Sequence, residues 1–309
     1  MKIVILGKGL MLANLILGAN DAQADIAGVF RYETTCGDSI ELFFKDIFNP
    51  DYDLTLIKEL RLKQLKFKSA NCEEFRKFLI KENIDLILVG TWREKIEKET
   101  FIIPTIGTVN AHPSLLPKYR GPNPYMQTIL NGEEYSGITL HLVDSNYDTG
   151  AILSQEKIKI NKNDTSKELR EKTAAKARQM VSKLICDLNN KIITPIPQIE
   201  KQSTYYSHIN GDERMLDFKK QTSVEISRTI RALHPFLPTY ITYKNKFYVV
   251  NPYEFEITDT KYPNKAGEVI EKDSKKSSLT MVCSDGVPIR FYKLKKYNLK
   301  YRILKFFTK

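Results

Sequence analysis

Short apolar runs alternate with amphipathic stretches along the first two thirds of the chain. The mostly apolar runs at residues 2–6, 26–30 and 84–89 have the length of strands, and the third is predicted to be a central strand buried on both faces. Helical patterns are predicted at residues 10–19, 38–47, 54–64, 72–82, 125–130 and 166–189. Strands separated by helices indicate an α/β domain with a mostly parallel sheet.

The pattern changes after residue 190. Residues 191–203 contain Pro195 and Pro197 and are predicted to be a linker, and a helix is predicted at 223–233. Five short strands are predicted at residues 240–243, 247–251, 267–271, 279–283 and 289–293. We therefore expect a first domain at 1–190, a linker at 191–204 and a small barrel or sandwich at 205–309.

Two further patterns make more local predictions. Asn71 is predicted to cap the helix at 72–82, because Glu74 stands at its third position. Residues 136–144 alternate as a strand, in which His141 is predicted to be a surface or packing residue rather than a second catalytic histidine.

Charge adds a hint about partners. The 309 residues carry a net charge of +11, which indicates either an anionic partner, such as nucleic acid or a nucleotide, or a lysine-rich solvated surface. Much of the excess lies in residues 272–309. The basic run at 58–68 is interpreted as a solvated helix face, because acidic residues interrupt it.

Several classes of function receive no support. The four cysteines are scattered without metal-ligand spacing, and no secretory signal or apolar run of membrane-spanning length is present, so we expect a cytoplasmic protein without a membrane partner or metal. The opening strand ends in Gly7-Lys8-Gly9, but Leu12 stands where a dinucleotide-binding motif needs a third glycine. A plain βα unit is therefore favoured over a nicotinamide site.

The candidate chemistry lies at residues 110–121 and 148–150. Asn110 offers amide donors to a developing negative oxygen, His112 exchanges protons near neutral pH, and Asp148 can orient and stabilise an imidazolium. Proline and glycine residues punctuate the stretch from His112 to Gly121, which indicates a shaped loop rather than a helix.

These residues resemble the formyltransferase family that uses 10-formyltetrahydrofolate. The resemblance rests on Asn110, His112, residues 114–117, residues 120–121 and residues 148–150. It implies a Rossmann-like first domain, an OB-like second domain and formyl transfer from 10-formyltetrahydrofolate without a metal. It also implies that Asp148 orients His112, the general base and acid, and that Asn110 is the oxyanion donor.

The resemblance also suggests binding residues. It places the pterin near the end of a strand and near the Leu-Leu-Pro loop, that is, near Val89, Gly90, Thr91, Leu115, Leu116 and Pro117. Arg120 is expected either to hold the anion of the acceptor or to brace the loop. Arg228 and Arg231 form an anion clamp or a solvated helix face. The carboxylate is expected to raise the pKa of His112.

Members of the family differ in their acceptor. We favour a nucleotide-linked amino sugar, carrying dTDP or UDP as in O-antigen synthesis, over methionyl-tRNA. Gly7-Lys8-Gly9 departs from the Gly-Thr-Pro turn usual in the tRNA enzymes, and the early basic region is mixed in sign. Net charge, chain length and the predicted barrel point the other way. The intact trio argues against a folate-binding regulator, and the oligomeric state stays open, a homodimer included.

Overall fold

The computed structural model describes residues 1–32, 52–209, 211–273 and 277–297. The helix predicted at 38–47, Cys36 and the end of the basic tail lie outside the described residues. By its contacts the chain divides into two compact units: residues 1–124, 135–159 and 170–207 form the first, and residues 125–134, 160–169 and 208–309 form the second.

A six-stranded sheet in the order β2-β1-β3-β4-β5-β6 dominates the first unit. Its strands are β1 Lys2–Gly7, β2 Asp25–Arg31, β3 Leu86–Gly90, β4 Gly107–His112, β5 Tyr135–Leu142 and β6 Ile152–Lys159. The first four are parallel, whereas β5 and β6 are antiparallel to their neighbours. The carboxyl ends of the parallel strands therefore share one edge, where α/β sheets place ligands.

Seven α-helices occur among the described residues. They are α1 Gly9–Asp21, α2 Tyr52–Glu59, α3 Glu73–Lys81, α4 Lys98–Phe101, α5 Pro124–Leu130, α6 Ser166–Asn189 and α7 Ser223–Leu233. None of the helices in these ranges is long and apolar enough to cross a membrane. In the first unit, Phe30, Phe75 and Leu79 pack with strand residues from β1 and β3 into one buried cluster.

Antiparallel strands dominate the second unit. They are β7 Thr239–Tyr243, β8 Lys246–Val250, β9 Phe255–Ile257, β10 Val269–Asp273, β11 Ser278–Val282, β12 Pro288–Phe291 and β13 Lys295–Lys296. They form a four-stranded sheet, β10-β11-β12-β9, and a three-stranded sheet, β13-β8-β7. Apolar residues of α7, such as Ile226 and Ile230, share one core with these sheets. The predicted fold class, a mostly parallel α/β domain followed by a smaller β-rich domain, is confirmed.

Three local predictions need correction. The helix predicted at 54–64 ends at Glu59, because the following residues turn back and Gln64 forms an isolated bridge with Val29 of β2. Asn71 does not cap α3: the N-cap position is Cys72, and the Asn71 amide instead bonds to Glu94, Lys95 and Glu97. Strands β9 and β13 were not predicted, since they have only three and two residues.

Candidate active site

Two adjacent strands supply three polar side chains to the site. In the register of β4 and β5, Asn110 lies opposite His141 and His112 lies opposite Thr139. Alternate residues of a strand share a face, and directly paired residues lie on the same face of the sheet. Both imidazoles are almost fully buried, with 5% of His112 and 2% of His141 exposed.

Asp148 lies close to Asn110, His112 and His141. It belongs to the loop at residues 143–151, which we call the second site loop. Its Oδ1 atom lies 3.5 Å from Nδ1 of His112, 3.6 Å from Nε2 of His141 and 3.5 Å from Nδ2 of Asn110. Its Oδ2 atom accepts a hydrogen bond of 2.9 Å from the Gly121 N–H. The structure thus brings the predicted trio together around one carboxylate oxygen.

Hydrogen bonding decides which nitrogen of His112 can take a proton. Nε2 lies 2.8 Å from the carbonyl oxygen of Tyr119, which can only accept, so Nε2 carries the hydrogen. The free lone pair of the neutral ring is then on Nδ1, which faces Asp148. A proton taken up by His112 therefore arrives at Nδ1, next to the carboxylate.

The electrostatic balance at His112 differs from the prediction. Burial lowers the pKa of His112 by more than Asp148 and the Tyr119 carbonyl raise it, so the carboxylate has the expected effect but the net shift is downward. Burial alone would raise the pKa of Asp148, but the two imidazoles and the Gly121 N–H outweigh burial and hold that pKa well below its usual range. Near neutral pH the pair is a neutral imidazole beside an ionised carboxylate.

His141 is a part of the site that sequence reasoning missed. Its Nδ1 donates to the Leu142 carbonyl at 2.8 Å, which leaves Nε2 to accept from the Asn110 amide at 3.2 Å. The available signal was the alternation in β5: Thr139 and His141 are polar residues on one face of an otherwise apolar strand, just as Asn110 and His112 are in β4.

We call residues 113–121 the first site loop. Side chains of β5 and β6 hold its backbone in place. Thr139 donates to the Ser114 carbonyl at 2.7 Å and accepts from the Leu116 N–H at 3.2 Å. Gln155 donates to the Leu116 carbonyl and to Thr139, both at 2.9 Å. The Leu116–Pro117 peptide is cis. Both backbone groups of Leu116 are therefore already bonded within the protein.

The residues predicted to surround the pterin lie in two places. Val89 and Gly90 end β3, with Val89 paired to Asn110 across the sheet, and Thr91 follows in the left-handed region at φ 57°. That conformation is unusual for a β-branched residue. Leu115, Leu116 and Pro117 lie in the first site loop. Their binding roles stay predictions.

Arg120 is 5% exposed and its guanidinium is already engaged. It forms two hydrogen bonds of 2.9 Å with the carboxylate of Glu200, and Oε1 of Gln198 accepts two more. Of the two roles expected for Arg120, these contacts favour bracing the first site loop over holding the acceptor.

Arg228 and Arg231 belong to α7 in the second unit, whereas the trio belongs to the first. The Arg228 guanidinium lies against Gly132, where an added Cβ atom would come within 2.1 Å of it. Arg231 donates to the Asp164 carbonyl at 2.8 Å, and burial lowers its pKa. Both side chains thus contact neighbouring backbone of the second unit, and the anion clamp stays a prediction.

Comparisons with known proteins place the chain in a family. Residues 1–185 match the formyl transferase model, and residues 208–304 match the model of its C-terminal domain. The chain is 30% identical over 234 residues to the methionyl-tRNA formyltransferase of Halothermothrix orenii, and this alignment covers 75% of the chain and 74% of that protein.

Solved structures give the same fold at lower identity. WlaRD, a sugar 3N-formyl transferase crystallised with dTDP and 5-N-formyl-THF, has a TM-score of 0.69 and 23% identity, covering 96% of this chain and 98% of WlaRD. An N-formyltransferase from Helicobacter canadensis, solved with folinic acid and dTDP-3-aminofucose, has a TM-score of 0.67 and 22% identity, covering 96% of this chain and all of that one.

The first family model alone spans more than half of the 309 residues, and the Halothermothrix relative agrees with it. The family predicted from residues 110–121 and 148–150 is thereby confirmed. This chain belongs to the formyl transferase family and is an enzyme that transfers formyl groups.

Proposed function

We propose that this enzyme moves a formyl group from 10-formyltetrahydrofolate to the amino group of a nucleotide-linked amino sugar that carries dTDP or UDP. The observation that carries the chemistry is the single oxygen, Oδ1 of Asp148, with His112, His141 and Asn110 within 3.6 Å of it. The proposal includes action in the cytoplasm.

The residues divide the reaction between them. Nδ1 of neutral His112 takes the proton that the attacking amine loses, and ionised Asp148 stabilises the resulting imidazolium. One N–H of the Asn110 amide bonds to Nε2 of His141, and the other, whose nitrogen lies 3.5 Å from Oδ1 of Asp148, donates to the formyl oxygen as negative charge develops there. Nδ1 then returns its proton to the leaving nitrogen of the donor. Atoms balance: a C–N bond to the acceptor forms, the C–N bond to the folate breaks, and tetrahydrofolate leaves.

His141 supports this division. Its Nε2 accepts from Nδ2 of Asn110, which fixes the orientation of the amide beside Asp148. A donor whose orientation is set before the reaction needs no reorganisation when charge develops, which is the origin of most of its effect.

The donor site fits a folate through two kinds of contact. Because both backbone groups of Leu116 are bonded internally, the first site loop can offer mainly apolar surface from Leu115 and Pro117. Hydrogen bonds to a pterin edge would then come from the turn at Gly90 and Thr91, whose left-handed φ is the kind of strained backbone found at ligand sites. Folates in related proteins support this donor.

The catalytic residues do not distinguish two acceptors, because both would attack the formyl group through an amine. Two observations favour the sugar. The structural match to WlaRD covers 98% of that chain, and the Gly7-Lys8-Gly9 turn departs from the turn usual in the tRNA enzymes. In the structure the Gly9 N–H of this turn already donates to the carboxylate of Asp53 at 2.8 Å.

Methionyl-tRNA is the second candidate acceptor. It is favoured by the 30% identity to the Halothermothrix enzyme and by the net charge of +11. The relative at 30% identity is named for tRNA and WlaRD at 23% is named for a sugar, and a direct experiment decides between the two acceptors.

That experiment supplies 10-formyltetrahydrofolate with dTDP- and UDP-linked amino sugars or with methionyl-initiator tRNA, and follows product at 50 and 200 mM salt. A sugar nucleotide has two phosphates, so we expect formylated sugar and a shallow salt dependence. A tRNA held by about six phosphate contacts would lose ~10³-fold in affinity over that range. Efficient formylation of the tRNA with that steep slope, and none of any sugar, would reject the sugar in favour of the tRNA.

A further inference from the structure

The segment predicted to be a linker is fixed to the first unit over most of its length. Ile196 exchanges two backbone hydrogen bonds of 2.8 Å with Ile152 at the start of β6. Farther along, Thr204 receives the Tyr119 N–H at 2.8 Å, and the ring of Tyr206 stacks on that of Tyr119 with centroids 5.2 Å apart. Residues 196–206 therefore form a third segment of the site, and we call them the bracing segment.

Gln198 connects the bracing segment to both site loops. Its Nε2 donates to the carbonyls of Asp148 and Gly150, each at 2.8 Å. Its Oε1 accepts from Nη2 of Arg120 at 2.9 Å and from Nε of Arg120 at 3.3 Å. One amide thus joins the loop that carries Asp148 to the loop whose Gly121 N–H holds the Asp148 carboxylate.

Asp148 has reason to need this support. Its φ of 56° lies in the left-handed region, which is uncommon outside glycine, although aspartate adopts it more often than most residues. Two residues later the chain passes so close to the Leu142 carbonyl that a Cβ on Gly150 would lie 1.8 Å from the oxygen. The two carbonyls that accept hydrogen bonds from Gln198 flank this tight turn, so the Gln198 amide fixes the peptide planes that orient the Asp148 side chain.

The orientation of the Asp148 side chain determines how strongly its carboxylate stabilises the charged form of His112. Oδ1 of Asp148 lies 3.5 Å from Nδ1, and the influence of the carboxylate on the imidazole falls as this distance grows. Catalytic groups must be held within about 0.5 Å of their working geometry, and a displacement of about 1 Å can lower turnover 10²-fold.

We propose that Gln198 is a positioning residue that sets the distance between Asp148 and His112, which makes the bracing segment part of the catalytic apparatus. This rests on the proposed roles of Asp148 and His112. Gln198 touches neither the donor nor the acceptor in this proposal, and it acts only through the two loops.

The test compares Gln198→Met, which keeps the length of the side chain but loses the amide, with Gln202→Met, a change of the same kind at an exposed residue of the same segment. Histidines labelled with ¹⁵N are titrated by NMR in the full chain without donor or acceptor; the chain has only four, so each ring is assignable from single substitutions.

We expect the His112 pKa to fall by about 0.5 unit or more in Gln198→Met, because Asp148 moves away, and not to change in Gln202→Met. The titration of His234 in the second unit should be the same in all three proteins. With a competent acceptor, kcat should fall about 10- to 100-fold while KM for the donor stays within about twofold.

An unchanged His112 titration in a folded Gln198→Met protein would overturn the proposal, whatever the acceptor. Failure of every acceptor would count against the proposed function only, because the NMR measurement needs none. If Gln198→Met does not fold, Gln198→Asn replaces it: this amide is one methylene too short to reach both loops, and a normal His112 pKa there would equally overturn the proposal.

Discussion

The first unit holds two carboxylates near the carboxyl ends of its parallel strands, one fully buried and one 14% exposed, and they have different partners. Asp53 is fully buried; its Oδ2 receives the Gly9 N–H at 2.8 Å and pairs with Nε of Arg31 at 2.7 Å. Asp148 receives the Gly121 N–H at 2.9 Å and lies beside two imidazoles and an amide. Asp53 has a second backbone donor, the Leu54 N–H at 3.0 Å from Oδ1, whereas Gly121 is the backbone donor to Asp148, and the side-chain partners of the two carboxylates differ.

The different partners give the two carboxylates different roles, a structural one for Asp53 and a proposed catalytic one for Asp148. The guanidinium beside Asp53 is charged at every pH at which the protein is folded, so this pair can hold the β1–α1 turn in place but cannot pass on a proton. The imidazole of His112 beside Asp148, unlike a guanidinium, can take up and give back a proton during a reaction. A buried carboxylate therefore indicates a reaction centre only when its partners can change their charge, and burial alone does not identify one.

The largest expected effect tests the reactive pair. His112→Ala and Asp148→Ala should each lower kcat/KM by about 10²- to 10⁴-fold, because the reaction loses its proton carrier or the charge that stabilises it. Turnover is measured with the acceptor identified by the panel, and circular dichroism checks folding. Near-native turnover in His112→Ala would remove His112 from the mechanism.

The next effect tests the structural pair. Asp53→Asn keeps an acceptor for the Gly9 N–H but removes the charge that pairs with buried Arg31, so we expect the free energy of unfolding to fall by about 3 kcal/mol or more. The folded fraction should retain native kcat. A matched control is Asp187→Asn, which removes an exposed pair with Lys183 and should change stability by less than about 1 kcal/mol. Equal denaturation midpoints for the two variants would contradict the comparison.

A smaller effect concerns pH. Burial lowers the His112 pKa below its usual 6.5, and the base must be neutral to act, so the acidic limb of kcat/KM should lie below pH 6.5. Below 6.5 the unfolded chain binds this proton more readily than the folded one, so the contribution of neutral His112 to stability is present above pH 6.5 and is lost as pH falls. Asp148→Asn should lower the pKa further, since it removes the charge that raises it. An acidic limb above pH 6.5 would mean that burial does not dominate, and a higher His112 pKa in Asp148→Asn would mean that the carboxylate does not raise it.

The sequence predicted different parts of the molecule to different depths. Asn110, His112 and Asp148 could be found because their motif is local and their residue types are those that acyl transfer needs. His141 could not be assigned with the same ease, because its role depends on a cross-strand register with Asn110. Asp53 was seen only as an acidic residue interrupting a basic run, since its partners at positions 9 and 31 are distant in the chain.

The long separation along the chain between contacting residues also explains why the contacts of the bracing segment were not predicted. Pro195 and Pro197 predict a linker from local sequence, but the contacts of Gln198 reach back 78 residues to Arg120 and 50 to Asp148. No periodicity encodes such contacts. The burial that reverses the expected pKa shift of His112 is likewise a property of the packed site and not of the neighbouring carboxylate alone.

The smallest expected effect is that of metal removal, and it tests what the cluster around Asp148 is. Two histidines and a carboxylate are also the ligands that first-row metals bind, so the composition alone admits a metal centre. In the described part of the chain, however, no group of three or more His, Cys, Asp or Glu side chains is arranged to hold a metal ion. The hydrogen bonds also engage three imidazole nitrogens that a metal would need: Nε2 of His112 and Nδ1 of His141 donate to carbonyls, and Nε2 of His141 accepts from Asn110.

We therefore expect kcat and KM to be unchanged after exhaustive dialysis against a chelator, with metal content checked by mass spectrometry. Activity that disappears on chelation and returns with a divalent ion would make Asp148 a ligand rather than the partner of an imidazolium, and the contrast with Asp53 would then lie in metal binding instead of proton transfer.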